Sequence, residues 1–315
     1  MSTSASRYTA EIHLEDANDA HSLAVARVPA NSRVLDLGAA DGSVAAVLRQ
    51  MGCRVSAVEC DPVAAEVAGR WCDRVVVADL NEIKLDEVFA GEQFDVILML
   101  DVLEHLVEPE IVLRGARDVL APDGWCVISL PNVSHLSVRL ALLDGRFRYT
   151  DVGLLDRTHL RFYDSEGKDA LLRDAGWEQL ALTRVTRTLG TTEITVDDAD
   201  PVLLAQLEAD PEALTYQFVI TAVPTGSPRL TSPPVLPAAV AQEALVAANR
   251  RVHELEASVA RLEALLSAAD ERAVPDLLER LEAIRMASIV RRGHLQHLLA
   301  ALEENLQRLR SVGGG

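Results

Sequence analysis

The chain is poor in cysteine and in positive charge, and both shortages exclude classes of protein. Its 315 residues include four cysteines, and no two of them form a CxxC pair. We therefore expect buried thiols, not a disulfide framework or a zinc motif. The net charge of −18 argues against a nucleic-acid-binding surface and against a polybasic membrane patch.

Long apolar runs are also missing. No stretch is long enough to span a bilayer, so no transmembrane segment is expected. Residues 1–16 have no apolar core of the kind that a signal peptide requires. Together with the sparse cysteines, these absences predict a cytoplasmic location. Hydrophobic residues still make up 49% of the chain, which is enough for a sizeable core.

What the sequence does contain is a regular alternation of apolar strands and helices. Strands are predicted at Arg33–Leu37, Arg54–Glu59, 74–78, Phe94–Leu100 and 125–130, with helices between them and a first helix at 16–28. Such alternation predicts a parallel α/β sheet with helices on both faces. Two later strands, at 178–185 and 215–223, predict an antiparallel hairpin at the sheet edge.

The first strand ends in a glycine-containing turn, VLDLGAADG at residues 34–42. Gly38 and Gly42 lack a Cβ, so the backbone can approach a ligand closely. The second strand ends about 20 residues later at Glu59, and an acid at this position can bind the two hydroxyls of a ribose. We therefore expect a nucleoside-like ligand.

The same turn narrows the choice of ligand. It is not the GxGxxG of dinucleotide-binding enzymes, and the chain has no GxxxxGK[ST] loop to hold phosphates. Asp36, at the end of the strand, suits a ligand that carries an amine. Another nucleotide-binding α/β domain remains the alternative.

From 31 to 224 the chain resembles the class I S-adenosylmethionine (SAM)-dependent methyltransferases. The turn resembles their first motif, with Ala40 at the middle glycine, and segments 93–106 and 120–132 resemble their fourth- and fifth-strand motifs. The resemblance implies a Rossmann-like sheet and SAM as cofactor. It also implies a set of cofactor-binding residues: Asp36, Gly38, Ala39, Gly42, Glu59, Cys60, Asp79, Leu80 and Asp101.

A possible metal site follows the fourth strand. Asp101, Glu104 and His105 would share one face of a helical turn, and their side chains suit Mg²⁺ or another divalent cation. The segment resembles the ExxEH element of small-RNA 2′-O-methyltransferases and quinone-biosynthesis O-methyltransferases. In the alternative, Asp101 lies near the cofactor while Glu104 and His105 only brace the loop.

Three histidines are candidate catalytic residues: His105, His135 and His159. His135 follows the fifth strand and could act as a general base or as a fourth metal ligand. The alternative is a histidine that hydrogen-bonds the backbone of its own loop.

The segment 132–163 is rich in Arg, His and aromatic residues and predicts a substrate cap. It resembles a methyltransferase subgroup associated with glycan and polysaccharide assembly, with Asp156, His159 and Arg161 as candidate sugar contacts. The alternative is a cap held together by its own Asp–Arg pairs. The leading expectation is therefore an O-methyltransferase for a sugar hydroxyl in a glycan, glycolipid or glycosylated metabolite. The rivals are an O-methyltransferase for a phenolic or quinone-like molecule and a coiled-coil scaffold that merely binds SAM.

The predicted domain organisation has three parts. A methyltransferase domain spans 1–224 and includes an acidic insertion at about 190–211. A Pro-rich linker follows at 225–237. Residues 238–311 predict an α-helical coiled coil that joins copies of the chain or binds a partner protein, or else a helical hairpin. Its apolar seam consists of Leu245, Ala248, Val252, Leu255, Val259, Leu262, Leu266 and Ala269.

Overall fold

The structure, a computed structural model, describes residues 18–196 and 201–230, which fall into two units. The described part of the first unit comprises 18–133, 148–186 and 215–230. That of the second comprises 134–147, 187–196 and 201–214. The predicted cap at 132–163 is thus divided between the units. The predicted coiled coil and most of the linker lie outside the described residues.

The first unit contains a seven-stranded sheet with the order β3-β2-β1-β4-β5-β7-β6. Strands β1 to β5 are parallel to one another, whereas β7 is antiparallel to both β5 and β6. This arrangement confirms the predicted α/β fold and the antiparallel hairpin. The strands are β1 (Arg33–Leu37), β2 (Arg54–Glu59), β3 (Arg74–Val77), β4 (Phe94–Leu100), β5 (Leu120–Pro131), β6 (Trp177–Thr186) and β7 (Thr215–Pro224).

Several helices of the first unit begin where the sequence supplies a capping side chain or a proline. Asp61 and Asp164 each accept a hydrogen bond from a backbone N–H in the first turn of the helix that follows, and proline occupies the first turn of two helices. These helices are α1 (Ala20–Val25), α2 (Ser43–Gln50), α3 (Pro62–Ala68), α4 (Leu85–Val88), α5 (Pro109–Asp118) and α7 (Ser165–Asp174).

The central strands are buried on both faces, which explains their unbroken apolar sequences. Along β4, Ile97 and Met99 pack into one hydrophobic cluster, while Val96 and Leu98 pack into the cluster on the opposite face. The two hydrophobic clusters hold the sheet between them. The carboxyl ends of its parallel strands all lie at one edge of the sheet.

Strand β5 is longer than predicted. The sequence indicates a turn at 121–124, but Leu120 already pairs with Phe94 before the register shifts and Trp125 pairs with Val96. The predicted turn is therefore an irregularity inside one strand.

The second unit contains α6 (Leu136–Leu143) and α8 (Pro201–Glu208). Leu136, Leu140, Ala213 and Leu214 form its buried core, with leucines of α8 packed against it. The sequence did not predict α6, because apolar residues surround most of this short helix and give no clear period. Among the described residues of both units, no helix is long and apolar enough to cross a membrane.

Candidate active site

The turn after β1, residues 38–42, is built from backbone groups and is called the cofactor turn below. Gly38 and Gly42 both have a φ of 80°. A Cβ at Gly38 would lie 2.5 Å from Val102 Cγ2, and a Cβ at Gly42 would lie 2.8 Å from Ala68 Cα. Glycine is therefore required at both positions by conformation and by space.

Ala40 lies in the same turn with a φ of 47°, a left-handed conformation that disfavours a residue with a Cβ. Ala39 beside it is buried. The residue that departs from the glycine motif thus keeps the backbone conformation that glycine would adopt, and it does so under strain.

Glu59, at the end of β2, ties the cofactor turn to its neighbouring strand. Its Oε2 accepts the backbone N–H of Ala40 at 2.8 Å, and its Oε1 accepts that of Asp61 at 2.8 Å. The thiol of Cys60, which is exposed, lies 3.4 Å from the same Oε1. A carboxylate has further lone pairs, so Glu59 can also accept the hydroxyls of a ribose.

Asp36, at the end of β1, is buried, and its Oδ2 has no hydrogen-bond partner within the described residues. Burial, together with the charge of Glu59, raises the pKa of Asp36 to about 7. A cationic group bound beside it would favour the charged carboxylate.

The other predicted cofactor residues follow β3. Asp79 Oδ1 accepts the backbone N–H of Asn81 at 2.8 Å, and Leu80 is buried. Asn81 Oδ1 in turn accepts the backbone N–H of Val107 at 2.9 Å. The loops after β3 and β4 are therefore joined.

The loop after β4, residues 101–105, is called the acid loop below. Its Glu104 is 1% exposed, and neither carboxylate oxygen has a hydrogen-bond partner from another described residue. One ligand atom from each of Glu104, His105 and His159 lies within 4.8 Å of the others. Two imidazoles thus lie beside a buried carboxylate.

The backbone fixes the orientation of His105. Its Nδ1 lies 3.2 Å from the carbonyl oxygen of Thr158, which can only accept, so Nδ1 donates the hydrogen bond. The ring of His159 packs edge-to-face on that of His105, with centroids 4.8 Å apart.

Burial sets the charges in this cluster. It raises the pKa of Glu104 well above its ordinary value, and the nearby charge of Asp101 raises it further. Burial and the neighbouring His105 lower the pKa of His159. The arrangement therefore favours a neutral imidazole at His159, the form that ligates metals or accepts a proton.

Two residues predicted as metal ligands do not join this cluster. Asp101 Oδ1 instead accepts hydrogen bonds from the Ser129 hydroxyl, at 2.9 Å, and from the Gln217 amide. The grouping of ligand atoms contains His159 and neither Asp101 nor His135. His159 follows His105 by more than 50 residues, so local spacing could not reveal this contact.

His135 belongs to the second unit, where it is buried and caps α6. Its Nδ1 accepts the backbone N–H of Ser137, and its Nε2 lies 2.9 Å from the Arg187 carbonyl oxygen. Both ring nitrogens lie at hydrogen-bonding distance from backbone atoms, the geometry of the backbone-bonding alternative, and the role of His135 as a base or metal ligand stays a prediction.

The cap residues of the first unit are held largely by one another. Asp156 Oδ1 accepts from the backbone and hydroxyl of Thr158, and Arg157 pairs with Asp151 at 2.6 Å. Arg161 donates to the Val107 carbonyl at 2.6 Å. Asp156, expected as a sugar contact, thus serves the internal structure of the cap, and Arg161, expected as another, ties the cap to the segment after the acid loop.

The sheet order, the cofactor turn and the acid at the end of β2 define a class I methyltransferase fold. A family model described as a methyltransferase domain matches residues 9–182, more than half of the chain. The chain belongs to this methyltransferase family.

Curated relatives match part of the chain. A ubiquinone biosynthesis O-methyltransferase from Azorhizobium caulinodans is 32% identical over 117 residues, which cover 36% of this chain and 46% of that protein. Another protein of that name, from Ruegeria pomeroyi, is 33% identical over 159 residues, 47% of this chain and 61% of its own length. The chain thus spans about half the length of the curated relatives it matches.

Solved structures of methyltransferases are also similar. A 1,6-didemethyltoxoflavin-N1-methyltransferase from Burkholderia thailandensis shares 24% identity and a TM-score of 0.44, covering 67% of this chain and 79% of that one. A possible histamine N-methyltransferase from Thermotoga maritima shares 17% identity and a TM-score of 0.46, covering 65% and 87%.

Proposed function

We propose that the chain is a SAM-dependent O-methyltransferase for a phenolic or quinone-like hydroxyl, assisted by a divalent cation. The observation that carries this proposal is the buried Glu104 carboxylate, which lies beside His105 and His159 at the carboxyl edge of a methyltransferase sheet. In open α/β sheets this edge is where ligands bind.

The cofactor would bind at the carboxyl ends of β1, β2 and β3. Glu59 would accept the ribose hydroxyls, the cofactor turn would let the backbone approach the nucleoside, and Asp79 and Leu80 would contact the adenine. When bound, SAM supplies an electrophilic methyl group. The chain contributes alignment and a place for the acceptor's proton.

A divalent cation fits the three-residue cluster chemically. Glu104 would supply an oxygen ligand that no other described residue hydrogen-bonds, and His105, whose Nδ1 is bonded to Thr158, would offer its Nε2. A bound cation lowers the pKa of a coordinated hydroxyl and so assists its deprotonation.

A phenolic acceptor has more support than the sugar that the sequence favoured. The polar cap was the main argument for a sugar, and its Asp156, Arg157 and Arg161 are engaged within the protein. Phe162, which is 37% exposed, lies edge-on to His159 with ring centroids 6.1 Å apart and offers an aromatic surface beside the cluster. The curated relatives named above also act in ubiquinone biosynthesis by name.

The test incubates the full chain with methyl-labelled SAM and three acceptors: a catechol, a nucleotide sugar and a glycan. We expect label on the catechol, loss of turnover in EDTA and recovery with Mg²⁺ or another divalent cation. Label on the sugars alone would overturn the acceptor assignment. Full activity in the chelator would show that Glu104, His105 and His159 hold no cation that catalysis requires.

A further inference from the structure

Asp101, the first residue of the acid loop, has an unusual backbone. Its φ is 55°, the left-handed region, which it shares with only two other non-glycine residues of the described chain, Asn31 and Ala40. Such a conformation is disfavoured for a residue with a Cβ and persists where the surroundings enforce it. Strained positions of this kind concentrate at functional sites, so the groups that hold Asp101 are of interest.

Two neighbouring strands supply those groups. Ser129, on β5 and fully buried, accepts the Asp101 N–H at 2.9 Å and donates its hydroxyl to Asp101 Oδ1 at 2.9 Å. Gln217, on β7, donates its side-chain amide to the same oxygen. The register pairs Leu100 with Ser129 and Pro131 with Gln217, so both donors are set by the sheet itself.

Both donors act on one oxygen of one carboxylate. Oδ2 of Asp101 takes part in neither bond, and Asp101 lies outside the cluster of Glu104, His105 and His159. Two neutral donors fix the direction of a carboxylate without neutralising its charge. Such an arrangement suits a negative group that must face a cation, and the methionine end of SAM carries both a sulfonium and an ammonium.

We propose that Gln217 is a positioning residue which, together with Ser129, holds Asp101 in the orientation that binds the charged end of the cofactor. This inference rests on the proposed use of SAM but not on the identity of the acceptor. Without the Gln217 amide, the strained Asp101 would lose one of the two donors that fix Oδ1 and would sample other orientations.

The test measures binding of S-adenosylhomocysteine (SAH), which keeps the ammonium, to the full chain by titration calorimetry. We expect Gln217→Met, which keeps the length and loses the amide, to weaken SAH binding by about 10-fold, the effect of one hydrogen bond to a charged group. Asp101→Asn should weaken binding at least as much. The double variant should be no weaker than Asp101→Asn alone, because Gln217 acts through Asp101.

Two controls separate positioning from general damage. Methylthioadenosine lacks the charged amino-acid end and should bind Gln217→Met and the wild type equally. Gln93→Met alters an exposed glutamine just before β4 and should leave SAH affinity unchanged. If Gln217→Met does not fold, Ser129→Ala carries the same expectations.

Wild-type SAH affinity in Gln217→Met would overturn the inference. So would an undiminished effect of Gln217→Met in the Asp101→Asn background, or an equal loss of methylthioadenosine binding. If the wild-type chain binds SAH but methylates no phenol, the proposed acceptor is wrong. The inference about Gln217 is unaffected by that result.

Discussion

The cofactor turn and the acid loop follow adjacent strands, β1 and β4, yet their polar groups are satisfied differently. At the cofactor turn, Glu59 from β2 accepts the backbone N–H of Ala40, and the glycines allow the turn to pack closely on Val102 and Ala68. In the acid loop, Glu104 is also buried, but no other described residue donates a hydrogen bond to it. The carboxylate beside the cofactor turn is thus satisfied by backbone N–H groups. The Glu104 carboxylate of the acid loop is satisfied only when it binds a ligand or a proton.

Because of this difference, substitutions in the cofactor turn should affect mainly stability, whereas substitutions in the acid loop should affect mainly activity. A turn whose partners are internal should lose stability when a residue that its backbone conformation or its packing requires is replaced. A buried carboxylate without partners lowers stability and is kept where it serves a function, so its removal should cost activity and not stability. Three substitutions test this contrast.

The largest effect is expected for Glu104→Gln. If Glu104 ligates the cation or handles the proton, turnover of a catechol acceptor should fall about 1,000-fold, while SAH affinity changes less than about 2-fold. Steady-state kinetics and calorimetry measure the two quantities. Glu87→Gln, on an exposed face of α4, should change neither and serves as the control.

The same variant should alter the dependence of stability on pH. Because burial raises the pKa of Glu104, the folded state holds a proton that the unfolded chain releases above about pH 4.3. The wild type, measured in EDTA, should therefore lose stability as the pH rises from there, and Glu104→Gln should lack this part of the loss. If Glu104→Gln were less stable than the wild type at pH 8, the claim that the buried Glu104 lowers stability would be wrong.

The second effect concerns the cofactor turn. Gly42→Ala must adopt a φ of 80° and would place its Cβ 2.8 Å from Ala68 Cα. We expect a loss of about 3 kcal/mol in the free energy of unfolding, from strain and overpacking together, measured in urea. Gly91→Ala has a φ of 77° but meets nothing within 4 Å, so it should lose only about 1 kcal/mol. Equal losses would show that space around Gly42 does not matter.

The two regions also differ in how far the sequence reveals them. The strands β1, β2 and β4 have their predicted bounds, and the residues of the cofactor turn are close in sequence, so their pattern predicts their geometry. The acid loop was predicted as a site, but its partners come from distant segments. His159 reaches it from the cap, and Ser129 and Gln217 reach Asp101 from β5 and β7. No local period encodes these contacts.

His135 shows the converse case, a histidine whose surroundings the sequence did not reveal. Its position after β5 suggested chemistry, but its ring caps a short helix whose evenly apolar sequence hid it. A histidine near the end of a strand is therefore informative only when the structure shows what its nitrogens bind.

The smallest effect is expected for Ala40→Gly. Ala40 occupies a φ of 47° while its backbone N–H bonds Glu59 at 2.8 Å, so the chain retains strain that glycine would relieve. Glycine also adds freedom to the unfolded chain, and the two effects oppose each other. Because relief of a left-handed alanine is worth about 1 kcal/mol and the added freedom somewhat less, we expect a gain of a few tenths of a kcal/mol in urea unfolding. Ala46→Gly, inside α2, should instead lose about 1 kcal/mol, because it carries the cost in entropy without any relief. A loss of similar size at Ala40 would mean that the cofactor turn tolerates its alanine without strain, and that Glu59 holds the turn whichever residue donates the N–H.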